Sequence, residues 1–329
     1  MNTKLFEQLN KDGLISGESL NKVLDKEKKK LFSIYWELKS VLYIGILCLT
    51  SALGILVYKN IDSIGHLTIL CVIALGSAAS FYYCFRLNPS FTPELKKSPS
   101  PFYDYALLLS CLLMLIFTGY LQYQYKVFGT RYGLATFLPM LVLIFSAYFF
   151  DHKGILSMGI ANMAAWLGIT VSPVSLLQHF NWFELPIIIA GFGLGLFCVL
   201  MAYLSEKRKI KSHFSFTYYH FAIHLTLLSA LGALFYFEYY YLLFLLFFLV
   251  AAWFFYRLSV NRHSLYFLLV TVLYSYVAFG YSFVHFTDGI SGIDTLSLLY
   301  IVFSYFILSS VALVYFLYRM NVKMKKHGI

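Results

Sequence analysis

The chain has 329 residues, of which 60% are hydrophobic, 20% aromatic and 12% charged. Soluble domains carry about 25% charged residues, so this composition excludes a soluble enzyme, a disordered chain and a nucleic-acid-binding domain. What remains is a multi-pass membrane protein, and the net charge of +10 then needs a membrane explanation rather than a polyanionic one.

Residues 1–38 are the one sizeable polar segment. Leu5, Phe6 and Leu9 form an apolar stripe, and Asp12-Gly13 breaks it, with Gly13 suited to the left-handed position that ends a helix. Ser16 is a good N-cap for a second helix, and Ile15 and Leu20 have the spacing of a hydrophobic staple. Leu20, Leu24, Leu31, Ile34 and Leu38 continue an apolar face at helical spacing. The pattern predicts a cytoplasmic helical hairpin that lies against the membrane or docks a protein partner or a second copy of the chain. No cleaved leader is expected in these forty residues, so the first apolar span acts as an uncleaved anchor.

Ten apolar stretches follow, at about 41–57, 64–85, 104–122, 132–150, 155–173, 185–204, 214–236, 239–256, 264–286 and 295–318. Each is near the roughly 20 residues that a helical span needs, and far longer than a barrel strand. In lipid every backbone polar group must be satisfied internally, so the stretches are helices. The expected fold is all-α: a polytopic bundle of ten transmembrane helices over 39–318, with a basic cytoplasmic tail at 319–329. Two pairs of spans are separated only by tight turns, at Asp151 and at Glu238.

The spans carry few polar groups. The second holds Ala74, Gly76, Ser77, Ala78, Ala79 and Ser80, a small-residue stretch that lets helix backbones approach. Asp104 at the start of the third reads as an N-terminal helix charge. Pro139 should kink the fourth, and interrupted helices line binding sites in transporters. Asn162 and Trp166 stand in the fifth among small residues. Asn181 to Glu184 has capping-box spacing at the outer start of the sixth, although Pro186 falls in the same turn; alternatively Glu184 is an outward-facing carboxylate site. A GxxxG runs from Gly191 to Gly195. Small residues thus place the second, fifth and sixth spans at the centre, while the bulky eighth faces lipid.

The seventh span holds His220 and His224, four residues apart and so on one helix face. At mid-membrane depth such rings need partners, and intramembrane ionisable groups are functional candidates. They are either hydrogen-bonded packing residues or a functional site that could ligate metal or haem iron, relay protons or bind a polar substrate. A zinc-protease motif is excluded because Phe221, not glutamate, follows His220. Asp288 and Asp294 flank a loop that reads as a solvated turn.

Charge fixes the orientation. Of 25 lysines and arginines, 22 fall before the first span, after each even-numbered span or in the tail; only Lys59, Lys126 and Arg131 fall on the other side. The positive-inside rule then places both termini in the cytoplasm, with the basic groups against anionic headgroups. All five cysteines lie inside spans without a CxxC pair, so neither disulfides nor a metal site is expected. Phosphate-binding loops and hydrolase motifs are absent as well, and no cofactor is expected. Transport of a small molecule or ion is the leading reading. A non-catalytic scaffold or sensor that docks a partner through residues 1–38 is the alternative, and an intramembrane lipid-modifying enzyme using His220 or His224 as general base is the third.

The string Leu9-Asn10-Lys11-Asp12-Gly13-Leu14-Ile15-Ser16, with Glu18, Val23-Leu24 and the Asn60-Ile61-Asp62 element between the first two spans, resembles a known family over about residues 1–85. It is similar to the bacterial predicted membrane proteins defined by a domain of unknown function, number 2157 in that series. That family often carries Trp where Ile61 stands here. The resemblance implies a membrane protein of the bacterial inner membrane and carries over no mechanism. Reporter fusions at residues 125 and 290 are expected to read outside, and fusions at 209 and 325 inside; a reversed pair would overturn the ten-span topology.

Overall fold

A computed structural model describes residues 3–28, 35–59, 65–87, 90–96, 98–129, 131–171, 184–289 and 294–327. Every regular element among them is helical. The chain divides into two units, Met1–Asn60 and Ile61–Ile329.

The first unit contains α1 (Thr3–Lys11), α2 (Gly17–Lys28) and α3 (Tyr35–Lys59). Helix α1 ends as its sequence dictates. Gly13 takes φ +72°, and the backbone N–H groups of Gly13 and Leu14 donate to the carbonyls of Asn10 and Leu9. That pair of bonds is a Schellman closure, and a glycine carries its left-handed residue at least cost. Ser16 caps α2 by accepting the Ser19 N–H at 3.2 Å. In α3 the Thr50 hydroxyl folds back onto the Ile46 and Leu47 carbonyls, so it exposes no unsatisfied donor in an apolar helix.

The second unit contains α4 (His66–Leu87), α5 (Pro101–Tyr125), α6 (Tyr132–Phe150), α7 (Lys153–Val171), α8 (Leu185–Arg208), α9 (Ser215–Tyr236), α10 (Tyr241–Asn261), α11 (Leu265–Asp288) and α12 (Thr295–His327). Successive helices pack in pairs, α4 on α5, α6 on α7, α8 on α9 and α10 on α11. The turns fall at the expected charges. Asp151 ends α6 in the left-handed region at φ 60°, and Glu238 opens a short 3-10 turn between α9 and α10. Ser100 caps α5, with Pro101 at its first position and Asp104 in its first turn, a favourable place for a carboxylate.

Nine helices among the described residues are long and apolar enough to cross a membrane. The remaining one of the ten expected is α7, which stands at the fifth position. Its 19 residues equal those of α6, so its reach is the same; Lys153 and Asn162 make it the more polar. The chain is a membrane protein built as a polytopic helical bundle.

Burial corrects one expectation. The central helix is α9, with 67% of its span buried, against 22% for α4 and 28% for α8. Small residues mark close helix crossings, not centrality. A side chain on Gly195 would collide with Thr226, whose backbone nitrogen lies 2.9 Å from the missing Cβ, and one on Gly191 would meet the Ser229 hydroxyl at 2.5 Å. The GxxxG edge of α8 thus lies directly on the backbone of α9. The buried Thr226 hydroxyl, which has no hydrogen-bond partner, occupies the space beside Gly195. Likewise a Cβ on Gly76 of α4 would lie 3.3 Å from the Leu113 side chain, and the Ser77 hydroxyl donates to the Ser110 carbonyl. Helix α10 buries one stripe, Phe248, Ala252, Phe255 and Ser259, and leaves its other faces exposed as expected.

Two helix starts differ in detail from a simple reading. Glu184 is the N-cap residue of α8 and makes no side-chain cap bond, with Pro186 in the first turn. Asn181, the start of the expected capping box, lies outside the described residues. Asp294 turns out to cap α12, accepting the Ser297 N–H at 3.1 Å. Hydrogen bonds from the Ser297 side chain and backbone hold its carboxyl below the usual range. The cap is present at neutral pH and is lost as pH falls through that lowered value.

Gly195→Val should destabilise the protein by about 1–3 kcal/mol through forced separation of α8 and α9. Gly193→Ala, at a position with open space, should be near neutral. Unfolding of both variants in nanodiscs measures the difference, and equal stabilities would exclude a close crossing at Gly195.

Candidate functional site

The seam between α9 and α11 gathers the two histidines. Helical spacing puts His220 and His224 on one face, with ring centroids 5.1 Å apart. Helix α11 meets that face with two tyrosines. Nδ1 of His224 lies 3.1 Å from the Tyr274 hydroxyl and Nε2 lies 2.8 Å from the Tyr266 hydroxyl. His220 stacks on Tyr266 at 5.3 Å with an interplanar angle of 20°. A neutral imidazole has one donor and one acceptor nitrogen, while a phenol both donates and accepts. His224 is therefore hydrogen-bonded at both ends, with one Tyr donating and the other accepting. The cluster is half-buried, and Tyr266 remains 37% exposed. At 1.5 Å per residue, His224 lies about 13 Å along α9 from its start.

The other sequence candidates lie elsewhere. Asn162 of α7 donates through Nδ2 to the Thr136 carbonyl of α6 at 2.6 Å. The carbonyl that Pro139 leaves without its helical donor is that of Ala135, one residue earlier. Asn162 ties α7 to α6 in the turn preceding Pro139 without replacing the lost bond. Glu184 sits at the start of α8, whereas the seam histidines lie toward the opposite end of the α8–α9 hairpin. The structure therefore splits the five residues among three places.

Sequence reading missed a buried ionic cluster at the end of the bundle where the basic loops lie. Asp151 and Lys211 are each 1% exposed and pair at 3.2 Å. The second carboxylate oxygen of Asp151 accepts from Nε2 of His213 at 2.5 Å, and the Lys96 backbone N–H donates to the first at 2.6 Å. An ionised carboxylate only accepts, so Nε2 of His213 carries its proton. Lys211 also donates through Nζ to the Glu94 carbonyl at 3.3 Å and through its backbone N–H to the Pro93 carbonyl at 2.8 Å. Its ammonium lies 5.5 Å from the Phe91 ring centre. Lys211 holds φ 50° and Asp151 φ 60°, a strained conformation that the fixed side chains sustain. Nearby, Arg262 pairs with Glu206 at 2.5 Å and covers the Tyr219 ring at 4.4 Å.

These contacts join the segments after α4, α6, α8 and α10 at one end of the unit. They are the even-numbered loops to which the lysine and arginine count assigned a common side. The available signal was that parity: loops on one side can meet, so a lone Asp in one tight turn and a Lys in another are candidate partners.

Residues 7–156 match the family model described as predicted membrane protein (DUF2157). The resemblance extends well past residue 85, through α4, α5 and α6 into the start of α7. It includes Asp151 and Pro139 but neither Lys211 nor the seam histidines. No curated protein and no solved structure matches the chain.

Breaking a buried ion pair leaves an uncompensated charge, at a cost of about 3–5 kcal/mol. Asp151→Asn and Lys211→Met should each destabilise the protein on that scale. The double variant should be more stable than the sum of the two losses implies. Additive losses in a double-mutant cycle would show that the two groups do not interact.

Proposed function

We propose that the protein moves a small solute or an ion across the membrane along the seam between α9 and α11. The supporting observation is the His224 imidazole held between two tyrosine hydroxyls of a neighbouring helix, inside apolar segments. Such bonds contribute little to stability in membranes, on average about 0.6 kcal/mol each. Aliphatic packing would hold α9 to α11 at least as well. A polar cluster that stability does not require favours a transport role.

Two further features accord with this reading. Pro139 removes one backbone hydrogen bond from α6 and gives that helix a place to bend. The basic end carries exposed Lys207, Arg208 and Lys209, and the Arg257 guanidinium sits 5.1 Å from the ring centre of the exposed Trp253. That is the chemistry of an interface contacting anionic headgroups. In this reading the basic end faces the cytoplasm and both termini lie on that side.

Purified protein in liposomes should show flux above empty vesicles for at least one member of a panel of protons, sodium, potassium, chloride and small neutral solutes. His224→Ala should abolish it while leaving thermal unfolding of the protein intact. Absence of flux across the whole panel, or flux indifferent to His224, would overturn the transport reading.

A further inference from the structure

The histidine–tyrosine cluster is one arm of a longer line. On α11, Tyr266, Tyr274, Tyr281 and His285 share one face, because their spacings return close to whole helical turns. Toward the other end of the seam, Tyr281 packs edge-on against Phe235 of α9 at 4.6 Å, stacks with His285 at 5.8 Å, and His285 meets Tyr241 at 4.4 Å. From Tyr266 to His285 the rise is about 28 Å at 1.5 Å per residue. The hydrocarbon core of a bilayer is about 30 Å thick. The imidazoles and phenols of α11 therefore form two arms within a membrane-spanning length, one against α9 at His220 and His224 and one against Phe235 of α9 and Tyr241 of α10.

We propose that the species carried along this seam is the proton. The inference rests on the transport reading above and names its cargo. Helix α9 contains no Asp, Glu, Lys or Arg, and α11 has only Asp288, at its last position. Glu238 of the α9–α10 turn lies near Tyr281 at one end of the line, but between the two ends neither α9 nor α11 supplies a fixed charge to hold a metal cation or an organic ion. Among the described residues no cluster of three His, Cys, Asp or Glu side chains is placed to ligate a metal. What the seam does offer is groups that accept a proton at one atom and release one from another.

His224 has the geometry for that step. The Tyr266 hydroxyl gives its proton to one ring nitrogen and takes another from water at its exposed side, while the proton on the other ring nitrogen passes to the Tyr274 oxygen as Tyr274 releases its own hydroxyl proton onward. One proton enters and one departs, both tyrosines end neutral, and the ring is left as its other tautomer. Rotation of the ring, or relay in the opposite direction, restores the starting state. Between Tyr274 and Tyr281 lies an apolar break of about 10 Å, where α9 offers Leu227, Leu228 and Leu231 and α11 offers Val277 and Ala278. A few waters would have to enter to complete the path, so this break is the gate.

The test uses full-length protein in liposomes loaded with a pH-sensitive dye, with a potassium diffusion potential as driving force. Proton flux should exceed that of empty vesicles. It should fall to the empty-vesicle level in Tyr274→Phe on one side of the break and in His285→Phe on the other. Tyr276→Phe is the control, since its hydroxyl faces α12 and meets Ser309 at 3.2 Å; it should retain flux. Only variants whose unfolding in nanodiscs matches the parent are compared, and His285→Gln replaces any His285 variant that fails this criterion. No proton flux, or equal loss in Tyr276→Phe, overturns the inference. A His224-dependent flux of another panel member without proton flux overturns the proton assignment but leaves transport standing, whereas absence of all flux overturns both.

Discussion

The Asp151 carboxylate is the point on which the second unit converges. It accepts from the ammonium of Lys211, the imidazole of His213 and the backbone of Lys96, three groups from two other inter-helix segments. Removing two charges from water is expensive, and their attraction alone rarely repays it. Here the extra donors complete the carboxylate, and the Pro93 and Glu94 carbonyls complete the lysine. What such a cluster contributes is registry. Helix hairpins whose faces are apolar on all sides have many ways to slide, and an ionic contact that works in one geometry removes the alternatives.

That registry bears on the seam. Helix α9 begins directly after Lys211 and His213, through the short 3-10 turn Ser212–Phe214. The same anchored end carries Tyr219 under Arg262, one residue before His220. Fixing the start of α9 against α6 and α8 fixes the rotation of the face that presents His220 and His224 to α11. On the other flank, Gly191 and Gly195 bring α8 onto the back of α9. The half-exposed tyrosines of α11 then close the face of α9 that carries the histidines.

Much of this was legible from residues alone, and the limits have physical causes. Gly13 and Ser16 were readable because helix ends are decided by nearest neighbours. The turns at Asp151 and Glu238 were readable because a helix of double length cannot fit a bilayer. The 22-to-3 charge asymmetry assigned the basic loops to one side, and the ionic contacts place four of them together. The position of α9 was not readable, because lipid and protein core are equally apolar, so hydropathy cannot separate a buried helix from a peripheral one. The partners of His224 lie 42 and 50 residues away, and those of Asp151 similarly far. Pairings of that range depend on packing that no local pattern encodes.

The position of Asp151 along the chain also governs the order in which the molecule can be completed. The carboxylate emerges with the α6–α7 turn, while Lys211 and His213 follow only after α7 and α8 have been made. During synthesis there is an interval in which Asp151 lies at the membrane surface without either side-chain cation. The early hairpins, which hold most of the stretch matched by the family model, are made before the side-chain cations of the cluster. The side-chain contacts to Asp151 can form only once the α8–α9 turn has been made, and a chain ending before Lys211 lacks the groups that close the cluster.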